Sequence, residues 1–311
     1  MADYKKRMDE FIWYHINGDG DCNGQVLRQY ALQHGLFQQA CFDLAYFYSV
    51  TYCCASAVFL LEHRKEIITD CRRFADEYKG KLIFQSDRKY ARMLDNFYKM
   101  LATWRDSLRN CATDFNSRFI VRGVLDTKMA VSECEKWYFF KRFSAYLFVE
   151  TYCDILDLSG SHAYGLDYEG DSMTFAGGLF YVFGMDSEAE FVQAYHRLPI
   201  DTDTFEALIR ELQQNVREAG GDDNFTKLET SLCAYEKFFK GTRYNGYYAD
   251  RQLEELVKLK RNPEFTRTCE SLFHARQAAI AKEYRGEDHD WNGIRTGLKK
   301  YYRETGTINE S

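Results

Sequence analysis

Proline is nearly absent from this chain of 311 residues, occurring only at Pro199 and Pro263. A residue that breaks helix interiors and sheet ladders alike is thus missing from almost every segment, and long periodic stretches fill the space between. No Cys-x-x-Cys pair occurs among the ten cysteines, and no histidine stands at zinc-ligand spacing from a cysteine pair. Neither a disulfide framework nor a zinc module is expected, and ten reduced, mostly buried thiols are. The longest largely apolar run, Ala55 to Leu61, falls far short of the ~20 residues needed to cross a bilayer, and no signal peptide is expected. No membrane partner is expected. Phosphate-binding loop, dinucleotide fingerprint, nucleophile elbow, zinc-protease and kinase signatures are all missing. So is the paired aspartate-rich motif of helical prenyl-diphosphate enzymes.

What is present reads as all-α: one compact multi-helix bundle over 1–311, with no repeat or linker. Residues 37–62 are apolar on nearly every side, so they should form a helix buried on every side at the centre. Asp43 and Tyr52 interrupt that surface and need partners or serve a site. Other helices are expected over 4–15, 23–35, 64–78, 86–109, 126–158, 203–220, 224–240, 247–261, 264–285 and 291–303. Any β structure should be confined to a glycine-punctuated insertion near 160–184, which also carries His162. Asp19, Asp21, Asn23 and Gly24 mimic the opening of a calcium loop, but Tyr30 stands where its closing glutamate is required.

The net charge of −6 is unevenly spread. Arg64–Arg122 holds 14 basic and 8 acidic residues, whereas Glu150–Asp223 holds 3 basic and 16 acidic. The basic segment contains Phe84-Gln85-Ser86-Asp87-Arg88-Lys89-Tyr90-Ala91-Arg92, in which Ser86 is placed to cap a helix. The first turn of a helix offers unpaired N–H groups and the positive end of the dipole. Arg88 and Lys89 on that turn, and Arg92 four residues after Arg88, would add two guanidinium forks and an ammonium around a phosphate-rich group. Asp87 could complement the dipole, pair with an arginine or carry a divalent ion. A solvated, charged helix start would have the same spacing. The 23 tyrosines and 24 phenylalanines supply core, and equally surfaces on which bases stack.

Two segments together carry a resemblance. Asp43…Tyr46-Phe47-Tyr48-Ser49-Val50-Thr51-Tyr52-Cys53…Ser56-Ala57, followed by Ile83-Phe84-Gln85-Ser86-Asp87-Arg88-Lys89-Tyr90, resembles the amino acid:DNA transferase family of bacterial viruses. These proteins were earlier grouped with the glutamyl/putrescinyl-thymine pyrophosphorylases. The likeness is strongest over about 10–155. The Pro-Trp-Thr-type segment of the related kinase-associated helical domain does not occur. The resemblance implies thymine hypermodification in the cytoplasm of an infected bacterial host. The partner would be DNA carrying pyrophosphorylated hydroxymethyluracil, and an amino acid such as glycine, or a polyamine, would displace pyrophosphate from the 5-methylene carbon. On that chemistry the candidate catalytic residues are Asp43, Tyr52 and Asp87, with Asp43 or Asp87 to take the amine proton. Pyrophosphate or DNA contacts would come from Ser86, Arg88, Lys89 and Arg92, with Arg118, Arg122, Arg142 and Arg243 as further candidates. Mg²⁺ on a carboxylate would be compatible with this chemistry, and no residue set is assigned to it. The reading that competes is a helical nucleic-acid-binding protein without catalytic activity; the acidic middle counts against the continuous basic face it needs.

Overall fold

The computed structural model describes residues 2–20, 22–84, 90–161, 174–184, 202–239 and 243–280. They are all-α. In order come α1 (Ala2–Asn17), α2 (Cys22–Gln33), α3 (Gln38–Thr51), α4 (Cys54–Glu62), α5 (Arg64–Thr69), α6 (Cys71–Tyr78) and α7 (Tyr90–Thr103). A π-helical turn, Trp104–Leu108, continues α7. Then follow α8 (Ala112–Phe119), the strands β1 (Ile120–Val121) and β2 (Val124–Leu125), α9 (Thr127–Cys134), α10 (Arg142–Leu156) and β3 (Ser159–Gly160). The order ends with α11 (Thr174–Val182), α12 (Thr202–Glu218), α13 (Phe225–Phe239), α14 (Tyr247–Lys260), a 3₁₀ turn at Pro263–Phe265, and α15 (Thr266–Ala279). None of the described helices is long and apolar enough to cross a membrane.

The chain divides into two compact units, one of residues 1–21, 163–247 and 290–311, the other of 22–162 and 248–289. In the first, α13 packs against α1 and α11. Gly178 permits the second contact, since a Cβ there would lie 2.3 Å from the Leu232 carbonyl oxygen. The ring of His15 on α1 lies between Ser231 Oγ, 2.8 Å from Nδ1, and the Asp222 carbonyl oxygen, 2.7 Å from Nε2. The carbonyl can only accept, so Nε2 carries the proton and Nδ1 is left to take the Ser231 hydroxyl. Burial pushes the His15 pKa below its ordinary value, against the pull of the nearby Asp222.

In the second unit, α3 lies at the centre as expected, with every residue from Ala40 to Thr51 buried. Phe42 sits in an aromatic cluster with Phe115, Trp137, Phe148 and Tyr152, at centroid distances of 4.9–5.8 Å. The Tyr46 ring stacks on Phe140 and its hydroxyl donates to Met100 O at 2.9 Å, tying α3 to α7.

Four expectations need correction. Residues 37–62 are two helices, broken at Tyr52 and Cys53. Ser49 and Thr51 turn their hydroxyls back onto the carbonyls of Ala45 and Phe47, both at 2.8 Å, and such local bonds compete with helix propagation. Residues 64–78 are also two helices, because Asp70 leaves helical geometry and its Oδ1 caps Arg73 N at 3.0 Å. Residues 126–158 split where Glu135–Lys141 turns through Phe139, at φ +65°. The strands fall mainly at 120–125, not within 160–184: Arg122 and Gly123, at φ +53° and +79°, close a two-residue hairpin of β1 and β2, and β3 adds in parallel. Of the expected insertion, 162–173 lies outside the described residues and Thr174–Val182 is helix.

Candidate functional site at a broken helix

The break in the central helix is the most chemically loaded place in the described structure. Tyr52 ends α3 in the left-handed region (φ +50°, ψ +33°) and its N–H returns to Tyr48 O at 2.5 Å. A bulky residue held there stores about 1–3 kcal/mol of strain, a cost that surrounding structure must impose. Its ring is met edge-on by Tyr48 and by Phe143, at 5.7 Å each. Cys53 is extended and α4 begins at Cys54 with no side-chain hydrogen-bonded cap. A helix N-terminus, with its outward N–H groups and positive dipole end, therefore opens inside the core.

Polar groups gather around it. Gln252 Nε2 donates to Asn23 Oδ1 at 2.9 Å and lies 3.5 Å from Cys54 Sγ. Glu255, one turn further along α14, adjoins Cys53, and its Oε1 stands 3.6 Å from Arg251 Nε. Gln252 and Glu255 are buried, 2% and 9% exposed as whole residues, and each leaves one buried oxygen, Oε1, without a hydrogen-bond partner. Burial raises the Glu255 pKa from 4.5 to about 8, outweighing the opposing contributions of Cys53 and Arg251. Burial likewise holds the Cys53, Cys54 and Tyr48 groups neutral, well above their ordinary values. Neither Gln252 nor Glu255 was among the residues singled out from the sequence. The signal was there, because both fall on the apolar stripe Ala249, Leu253, Leu256 and Leu259 of α14, where a polar residue is out of place.

The basic stretch adjoins this place. Ile83 N–H donates to Ser56 Oγ, on the first turn of α4, at 3.0 Å, and the buried Phe84 ring packs edge-on against Phe97 of α7 at 5.0 Å. The two segments that carry the resemblance thus touch. Ser86, Asp87, Arg88 and Lys89 themselves lie outside the described residues. Arg92 falls on α7, with its side chain outside the described set.

Asp43 is elsewhere in the unit and fully occupied. Its Oδ1 accepts from Gln39 Nε2 and Trp104 Nε1, both at 2.8 Å, and its Oδ2 from Arg64 at 2.9 Å. Gln39 in turn takes Ala112 N–H at 2.9 Å, so the cluster clamps α3 to the π-helical turn and to the start of α8. Burial raises the Asp43 pKa while the three donors hold it down. Arg142 opens α10 beside Phe143, the ring partner of Tyr52. Arg118 is committed to Glu133 at 3.2 Å and Asp114 at 3.6 Å, and Arg122 stands exposed on the hairpin turn, off the helix of Arg118. Arg243 belongs to the other unit, where its guanidinium lies over the Tyr247 ring at 4.3 Å. Among the described residues, no three His, Cys, Asp or Glu side chains converge to hold a metal ion. His162 and Asp21 lie outside the described residues, and Asp19 is buried. No protein-family model, no curated protein and no solved structure matches this chain.

Proposed function

We propose that the protein is a transferase that joins an amine to the 5-methylene carbon of pyrophosphorylated hydroxymethyluracil in viral DNA. One observation carries the reading: Ile83 N–H is bonded to Ser56 Oγ, so the segment leading into Ser86-Asp87-Arg88-Lys89 is docked on the helix start that follows Tyr52 and Cys53. The proposed reaction forms a C–N bond to the methylene carbon as the C–O bond to pyrophosphate breaks. The electron pair leaves on pyrophosphate, and the proton of the amine passes to a carboxylate. Arg88, Lys89 and Arg92 would meet the charge that grows on the leaving oxygens, which lowers the barrier more than it tightens substrate binding. Asp87 would take the proton. Asp43, with both oxygens taken, acts as a positioning residue, keeping Trp104 and Arg64 where α3 meets its neighbours. The aromatic walls around Tyr52 would exclude water, the competing nucleophile, and offer faces on which an extruded base stacks. The reading routes no step through Mg²⁺.

The test is nucleoside mass spectrometry of DNA carrying pyrophosphorylated hydroxymethyluracil after incubation with the protein and a panel of amines. The expected result is an amine-substituted thymine and release of pyrophosphate. Arg88→Ala should lower turnover by ~10²–10³, with Arg88→Lys recovering only part because the bidentate fork is lost. DNA bound with every base unchanged would refute the transferase and leave the non-catalytic nucleic-acid-binding reading.

A further inference from the structure

The first unit holds a hollow of about 740 Å³ beside α1, a volume typical of small-molecule sites. Lys5, Lys6, Asp9, Glu10 and Trp13 line it from α1, and Phe238 lines it from the end of α13. Positions 5, 9 and 13 differ by four, so they fall on one stripe of the helix, each step rising about 6 Å. The hollow thus presents an ordered series: two ammonium groups, two carboxylates one turn on, and an indole one turn beyond. Two features set it apart from an ordinary solvated helix face. Trp13 is 53% exposed, which forgoes much of the burial energy its large apolar ring offers. The Phe238 ring is held in place, stacked on Tyr14 at 5.4 Å, and Tyr14 packs in turn on Tyr235 at 5.7 Å. Lys5 and Asp9 make no ion pair among the described residues, and the exposed Lys6–Glu10 pair, at 3.7 Å, is worth little. The charged groups can therefore turn to a ligand at small cost.

We propose that this hollow binds a free ribonucleotide. The base stacks on Trp13 beside Phe238, the ribose 2′ and 3′ hydroxyls donate to Asp9 and Glu10, and the phosphates lie on Lys5 and Lys6. Base, diol and phosphate follow one another along a nucleotide as indole, carboxylates and ammonium groups do along α1, about one helical turn to each step. Simpler ligands fit less well. An inorganic anion meets two carboxylates, a polyamine meets two ammonium groups, and an apolar molecule leaves four charges unused. The carboxylate pair favours ribose over deoxyribose, because a diol can donate to both acids and a single hydroxyl to only one. None of these residues belongs to the unit of the broken helix, and the binding is independent of DNA and of the transferase reaction.

The experiment is calorimetric titration of the full chain, at low and high salt, with ADP, dADP, adenosine and inorganic phosphate. ADP should bind, and dADP should bind about tenfold more weakly, as expected for losing a hydrogen bond to a charged group. Adenosine and phosphate, each presenting part of the ligand, should bind more weakly than ADP. Trp13→Ala should weaken ADP binding by about tenfold or more through the lost stacking. Asp9→Asn should narrow the preference for ADP over dADP, and Lys5→Gln should flatten the salt dependence. All three positions are exposed, and unchanged far-UV circular dichroism identifies each folded variant. Absence of ADP binding, affinity unchanged by Trp13→Ala, or equal affinity for ADP and dADP overturns the site. A chain that ignores ADP and sediments as a dimer, but as a monomer after Trp13→Ala, gives the hollow to a second copy and overturns it too. The two readings fail separately. Modified bases without ADP binding refute the nucleotide site alone, whereas ADP binding without any modified base refutes the transferase and leaves the site standing.

Discussion

Glu255→Gln isolates the energetic consequence of burying a carboxyl group beside a helix start. In the folded chain the group titrates near 8, against 4.5 for an ordinary glutamate, because burial disfavours the carboxylate. Between those values the folded state holds a proton that the unfolded state has released. Stability is therefore greatest below about 4.5, falls as pH rises towards 8, and levels off above it. One pKa unit corresponds to about 1.4 kcal/mol, so the full loss approaches about 5 kcal/mol, and between pH 5 and pH 7 it is about 3 kcal/mol. Glutamine has the same shape and does not titrate. The quantity to measure is the difference in unfolding free energy between the unaltered chain and Glu255→Gln, from urea titrations followed by tryptophan fluorescence at pH 5, 6, 7 and 8. Subtraction removes every other titrating group. The difference should move against the unaltered chain by about 1.4 kcal/mol for each pH unit. A difference that stays constant across this range would show that Glu255 is ionised and solvated, and the picture of a buried, proton-holding site would fall.

Asp43→Ala leaves the buried Trp104 indole N–H without its acceptor and takes one partner each from Gln39 and Arg64, and should cost about 1–3 kcal/mol in chemical denaturation. Gly123→Ala tests the hairpin alone: an added Cβ meets nothing within 4 Å, so the loss should be only the ~1–2 kcal/mol of left-handed backbone at φ +79°. His15 has its folded pKa depressed by burial, so its contribution to stability is present above the unfolded value of 6.5 and is lost as pH falls below it. The thermal midpoint of the unaltered chain should drop from pH 6.5 to pH 5 more steeply than that of His15→Gln, and an identical slope would contradict the buried neutral ring.

The helices were legible in the sequence wherever one local rule governed them. Scarce proline and an all-round apolar stretch sufficed to place α3 at the centre of its unit, and Gly35 and Gly220, both at positive φ, mark helix ends where glycine was read as a terminator. Breaks were legible less often, because they come from competition between helix and side-chain bonding that periodicity does not register. Ser49 and Thr51 fit a helix by pattern, yet their hydroxyls help to end it. Asp70 continued an amphipathic pattern and is a cap instead. The site suffered from the same limitation. Asp43 was conspicuous as a charge in an apolar run, and the structure gives it three donors from Gln39, Trp104 and Arg64. Gln252 and Glu255 fall on the same stripe as Ala249, Leu253, Leu256 and Leu259, a signal the sequence carried, but the many other charges of α14 made them inconspicuous.

The break at Tyr52 and Cys53 is what makes a site here physically reasonable. An unbroken helix over 37–62 would have satisfied every N–H from residue 54 onward by a carbonyl four residues earlier, leaving nothing polar in the core for a ligand to meet. Breaking it inside the protein incurs left-handed strain at Tyr52, an uncapped helix start and the burial of Gln252 and Glu255. Each of these is unfavourable for folding, and each could be removed by ordinary substitutions: a smaller residue at the turn, a serine or aspartate as cap, leucine on α14. Several unfavourable features converging on one turn, with the chain that leads to Ser86 and Arg88 bonded to that same turn through Ser56, fit a place where stability has been given up for binding. A merely structural kink would need the strain at Tyr52 alone; it would not need two buried polar side chains, Gln252 and Glu255, gathered at the helix start.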